Sequence, residues 1–114
     1  MTLIDKLTEY GVNAKEGLDR CMNNEELYFR LLNKALNDDS ILRLNEKLEE
    51  KDFDEAFKIS HSLKGVLGNL SITPMYGIVY EMTEELRAKK DIDYKGYIDK
   101  LLKIREELVL LINK

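Results

Sequence analysis

The stretch FKISHSLKGVLGNLSI, residues 57–72, decides how this chain folds. Its apolar residues recur at helical spacing, yet it holds two interior glycines, Gly65 and Gly68, and the only histidine of the chain, His61. Each helical residue turns about 100°. With His61 at zero, Ala56, Ile59, Leu63, Val66, Leu67 and Leu70 fall in an arc of roughly 140–240°, which predicts the core face. Asp54, Phe57, Lys58, Lys64, Gly65 and Gly68 lie within about 60° of His61. The histidine is therefore predicted to point away from the core. Lys64 stands beside it at i+3, within side-chain reach.

The flanking sequence repeats the helical period and shows no strand-like alternation. Leu3, Ile4 and Leu7 open a short helix ended by Gly11, and Gly17 to Cys21 adds a turn or two. Asn24 caps EELYFRLLNKAL, with Tyr28, Leu31, Leu32, Ala35 and Leu36 on one face. NDDS breaks that helix. Asp39 or Ser40 caps the next, striped by Ile41, Leu44 and Leu48. Asp52, with Glu55 three residues on, opens the His61 helix with a close variant of a capping box. Thr73–Pro74 marks another start, with Met75, Ile78, Val79, Met82 and Leu86 as its stripe. The last helix begins at Asp91 or Asp93, carries Ile98, Leu101, Leu102, Ile104, Leu108 and Leu111, and extends to Lys114. The pattern predicts an all-α fold: an antiparallel four-helix bundle with one or two short extra N-terminal helices, forming a single domain over residues 1–114.

Composition narrows the function classes. A chain of 114 residues buries enough surface for a core of its own. A net charge of −4 argues against nucleic acid as a partner. No apolar run reaches the roughly 18 residues that span a bilayer, and the N-terminus has acids where a signal peptide has its apolar stretch. The single cysteine, Cys21, cannot form an internal disulfide, so it reads as a small core residue in a reducing, cytoplasmic setting. An evenly amphipathic bundle of this size is expected to be a monomer. Met1 and a final helix running to Lys114 fit a stand-alone protein, with a piece of a larger sensor kinase as the alternative.

Self-contained catalysis finds no support. GVLGNL lies inside a helix pattern and follows no strand, so it is neither a Walker loop nor a dinucleotide fingerprint. One histidine excludes a multi-histidine metal site, and no paired Glu-x-x-His motif is present. Ser60 and Ser62 diverge from His61 around the wheel, so no hydrolase triad forms. What remains is an outward imidazole. With a reference pKa near 6.5, such a group is mostly neutral at pH 7 and nucleophilic. A phosphoryl group accepted there would be balanced by the Lys64 ammonium. The glycines sharpen this reading. Each costs about 1 kcal/mol relative to alanine in a helix interior. Gly68 has the character of a site where a neighbouring helix approaches, while Gly65 clears space around the imidazole. Phe57 either packs under a neighbouring helix or anchors a partner. Lys58 and Lys64 either solvate the surface or steer an acidic docking pocket.

AFKISHSLKGVLGNL resembles the signature of histidine-containing phosphotransfer (HPt) domains, in which a small residue precedes an H-x-L-K-G core. Here the core is complete as His61-Ser62-Leu63-Lys64-Gly65. Asp52 matches the aspartate that opens this helix in the family, and GLDRCMNNEELYFRLLNKAL resembles the usual N-terminal region. The resemblance implies a bundle with His61 as phosphoacceptor through Nε2 and Lys64 as charge partner. It implies Gly65 as the small residue that lets a receiver domain dock, with Gly68 extending the landing surface. It implies a phosphoryl carrier, not an enzyme, working between response-regulator receiver domains and a hybrid sensor histidine kinase. The carrier itself would need no cofactor, since magnesium belongs to the receiver. Two stretches depart from the family pattern: Ser71 stands where Gly or Ala is common, and ITPMYGIVYEM replaces a leucine-rich continuation. The alternative function is a helical adaptor that docks signalling proteins without being phosphorylated.

Overall fold

The computed structural model describes residues 1–113, and all regular structure among them is helical. The elements are α1 (Leu3–Tyr10), α2 (Ala14–Arg20), α3 (Glu25–Leu36), α4 (Ser40–Glu49), α5 (Phe53–Asn69), α6 (Thr73–Arg87) and α7 (Lys95–Ile112). Lys114, to which the sequence reading extends the last helix, lies outside the described residues.

Local chemistry explains the boundaries. Thr2 and Asp5 form a reciprocal capping box at α1, with bonds of 3.1 and 3.2 Å. Gly11 ends that helix in the left-handed region, φ 116°, where its N–H reaches the Leu7 and Thr8 carbonyls. Asn13 caps α2, so this helix starts three residues before Gly17 and stops at Arg20. Asn24 and Asp52 cap α3 and α5 by accepting the backbone N–H groups of Leu27 and Glu55. The Asp52 cap lacks the return bond of a full capping box. At α4 Asp39 stands at the N-cap, one of the two expected residues, but makes no side-chain cap bond; Asp38 accepts the Ser40 N–H at 2.7 Å instead. Asp93 plays the same part for Lys95, which places the start of α7 just beyond the expected aspartates.

The bundle has four members made from five helices. Ser60 meets Thr83, Lys64 meets Tyr80 and Gly68 meets Tyr76, an order that only antiparallel α5 and α6 give. On the other side of α5, Arg43 and Ser40 lie by Ile59 and Ser62, and Ala35 and Leu31 lie by Leu63 and Val66. Thus α4 packs antiparallel on α5, and α3, broken from it only at residues 37–39, continues the same line toward the far end of α5, where Tyr28 reaches the Leu70 carbonyl; both halves pack on α7. The sequence reads them as separate helices because NDDS interrupts hydrogen bonding. Packing makes them one bundle member. An Arg105 Nε bond of 2.6 Å to the Leu36 carbonyl fastens the break to α7.

Two further ties set the end of the bundle near Gly68. Tyr28 is fully buried and donates its hydroxyl to the Leu70 carbonyl at 2.9 Å, with its ring over Gly17. Burial pushes its phenol up to about 12. Ser71 ends α5 with φ 56°, an uncommon conformation for a residue with a side chain. Its hydroxyl donates to Glu16 at 3.0 Å and its carbonyl accepts the Asn13 N–H at 3.1 Å, which compensates the strain.

The core face of α5 differs from the wheel reading. Ala56, Leu63, Leu67 and Leu70 are buried, but so is Ser60, while Val66 is 43% exposed. The buried arc is rotated by about 30° toward Ser60. The cause is α6: Thr83 offers Ser60 a hydroxyl partner and itself donates to the Val79 carbonyl at 2.6 Å. Paired this way, two buried hydroxyls carry no desolvation penalty worth a core position.

Candidate functional site

His61 lies on the exposed side of α5, in the middle of a helix of 17 residues. Its imidazole stacks on the Phe57 ring one turn earlier, with centroids 5.8 Å apart and planes within 10°. That spacing at near-parallel planes is the offset geometry aromatic pairs prefer. The Arg87 guanidinium of α6 lies 5.0 Å over the same Phe57 ring. One turn beyond His61, the Lys64 ammonium lies 5.3 Å over the Tyr80 ring of α6. Two cation–ring contacts therefore bridge α5 and α6 on either side of the histidine, each worth about 0.5–1 kcal/mol at such exposure.

These contacts share one origin. Phe57 and Lys64 are seven residues apart, as are Tyr80 and Arg87, so each pair occupies one helix face two turns apart. Antiparallel packing sets ring against cation in one place and cation against ring in the other. Beneath His61 the buried Ser60–Thr83 pair fixes the register that brings them together.

The two glycines differ. A Cβ at Gly65 would meet no atom within 4 Å, so this position is open to solvent beside the imidazole. A Cβ at Gly68 would stand 3.2 Å from Tyr76 Cε2, and the Gly68 carbonyl accepts the Arg20 Nη1 at 2.9 Å. Gly68 is half-buried, and the space its missing side chain leaves is taken by α6 before any visitor. Arg20 also pairs with Glu16 at 3.1 Å, spanning a groove of about 520 Å³ between α2, α5 and the start of α6. Lys58 is exposed on the α4 side of His61, 3.9 Å from Glu55, too long and too solvated to hold it in place.

The structure thus gathers Phe57, His61, Lys64 and Gly65 into one exposed strip, with Lys58 at its edge and Gly68 set lower. Of the two roles weighed for Phe57 the structure shows the packing one, since it is part-buried against the core, and it adds a stacking contact with His61. Tyr80 and Arg87 were invisible as site residues in the sequence. Their spacing of seven was there to read, but its meaning depends on the α5–α6 register. Chemically, the strip offers an accessible imidazole, three cations (Lys58, Lys64 and Arg87) and clear space for an approaching surface. No group of three His, Cys, Asp or Glu side chains among the described residues could hold a metal ion. Among the described residues no helix is long and apolar enough to cross a membrane.

The family model of the Hpt domain matches residues 30–111, from within α3 to the end of α7, and includes the whole strip. The helices α1 and α2 lie outside the match. Comparison with curated proteins and with solved structures returned no match.

Proposed function

Since the chain belongs to the Hpt domain family, the phosphotransfer modules of two-component signalling, we propose that it carries a phosphoryl group on His61 between receiver domains. Members of this family are carriers that interact with response-regulator receivers; the residues and the route in this chain are our reading. The observation that carries it is the exposed imidazole beside the open Gly65 position. A receiver aspartyl phosphate brought against this strip meets the Nε2 lone pair of a neutral imidazole. The N–P bond forms as the P–O bond to the aspartate breaks, and the aspartate leaves as a carboxylate. The imidazole keeps its Nδ1 proton, so no proton transfer is required in the step. Charge balance then falls to Lys64, whose contact with Tyr80 is weak enough to exchange for a phosphoryl oxygen.

Docking follows the same surface. Gly65 leaves room for the receiver, Phe57 and Gly68 border the contact, and Lys58 with Lys64 attracts the acidic receiver pocket where magnesium is bound. The carrier brings no cofactor of its own in this reading, and a hybrid sensor kinase supplies the first phosphorylated receiver. A reducing, cytoplasmic location is consistent with the buried, unpaired Cys21, and the chain acts as a monomer. The test is incubation with a phosphorylated receiver. Wild type should gain an acid-labile, alkali-stable phosphate that His61→Gln lacks. Equal receiver binding by both proteins with no label on either would overturn the carrier reading in favour of an adaptor.

A further inference from the structure

The imidazole of His61 is attached through a torsion with a broad, roughly two-fold profile, so nothing in the side chain itself fixes the plane of the ring. On an exposed helix face it would swing. Here it does not stand alone: Phe57 lies parallel to it at 5.8 Å, and Phe57 is held from two sides. Its inner edge packs against the core, and the Arg87 guanidinium covers it at 5.0 Å. A half-buried ring tied to α6 makes a rigid platform, and an i, i+4 pair on a helix is the spacing at which one side chain lies against the next. The plane of the imidazole, to which the Nε2 lone pair is confined, is thereby restrained by a residue that does not react.

We propose that Phe57 is a positioning residue for His61, holding the imidazole plane by ring stacking, with Arg87 as the clamp that holds Phe57. The inference rests on the carrier reading above. In-line attack needs the lone pair aimed at phosphorus, and a ring free to rotate spends most of its time misaimed. The loss on removing the aromatic face is about fivefold in rate, the population ratio that an offset aromatic pair is worth. A merely structural Phe57 would be replaced by leucine at no cost to the reaction, since leucine keeps the apolar contact with the core.

The experiment uses phosphoramidate, a small donor that needs no docking surface. Its P–N bond breaks as the new N–P bond forms, and its nitrogen leaves as ammonia after taking a proton from water. Phe57→Leu is expected to be labelled about fivefold more slowly than wild type, and Phe57→Tyr to recover most of the wild-type rate. Arg87→Met, at a side chain 52% exposed, is expected to slow labelling about twofold without disturbing the fold. In proton NMR the ring-current shift that Phe57 imposes on the His61 ring protons should vanish in Phe57→Leu and persist in Phe57→Tyr. Labelling of Phe57→Leu at the wild-type rate overturns the inference and leaves the carrier reading standing, as does a slow Phe57→Tyr. Should Phe57→Leu fail to fold, a wild-type rate in Arg87→Met with the ring-current shift unchanged decides against it. Absence of label on wild type with both phosphoramidate and a phosphorylated receiver removes the carrier reading and the inference together.

Discussion

Gly65→Ala should make this protein more stable and less able to exchange phosphate with a receiver. The stability gain follows from geometry. Gly65 lies inside α5 with helical backbone, where glycine costs about 1 kcal/mol relative to alanine. An added Cβ meets nothing within 4 Å, so no steric term opposes the gain. Unfolding entropy of about 2.1 cal/mol/K per residue gives roughly 0.24 kcal/mol/K for a chain of this length, so the melting temperature should rise by about 4 °C. Gly68→Ala is the internal contrast. Its Cβ would press on Tyr76 at 3.2 Å, and the shift forced on a half-buried ring cancels the propensity gain. The functional half is read by transfer from a phosphorylated receiver. Gly65→Ala should slow it several-fold and the bulkier Gly65→Gln by more than about tenfold, because side-chain atoms then occupy the receiver's approach. Labelling by phosphoramidate should be unaffected in both. A melting temperature that falls for Gly65→Ala would refute the open-site geometry. Receiver transfer at the wild-type rate in Gly65→Gln would refute the idea that this glycine is kept for docking.

Two further outcomes concern the end of the bundle that supports the site. Gly17→Ala places a Cβ 2.5 Å from the Tyr28 ring and hydroxyl, so denaturant titration should show a loss of about 1–3 kcal/mol; a change under about half that lower bound contradicts the tight contact. The Tyr28 phenol, pushed up to about 12 by burial, gives a pH dependence with a definite sign. The unfolded chain releases this proton near pH 10 and the folded chain only near 12, so stability is flat below 10 and falls between 10 and 12 by on the order of 2–3 kcal/mol. Tyr10, raised to about 12 by burial and by its bond to Glu107, adds to the same decline. Tyr28→Phe should cost about 1 kcal/mol at pH 7 through the lost bond to the Leu70 carbonyl, yet decline less steeply in alkali. An alkaline profile identical to wild type would count against the burial of that hydroxyl as its cause.

Much of the molecule was legible from residues alone. Helical period, the caps Asn24 and Asp52, and the punctuation at Gly11 and Pro74 settled that the chain is all-α and where most helices run. Period also turned His61 outward, and the composition of its strip suggested the chemistry, because those properties depend on one helix and its own side chains. Other features were beyond any reading of single elements. That α3 and α4 serve as one bundle member depends on both packing on α7, with α4 also lying along α5. That Ser60 is buried and Val66 is not depends on the rotation of α5 against α6, where Thr83 supplies a hydroxyl partner. That Arg87 covers Phe57 and Tyr80 receives Lys64 depends on the register of the same two helices. The physical reason is that a helix fixes angles only about its own axis, through hydrogen bonds four residues long. Its rotation and sliding against a neighbour are set when two complete surfaces, far apart in the chain, are packed together without gaps or unpaired polar groups.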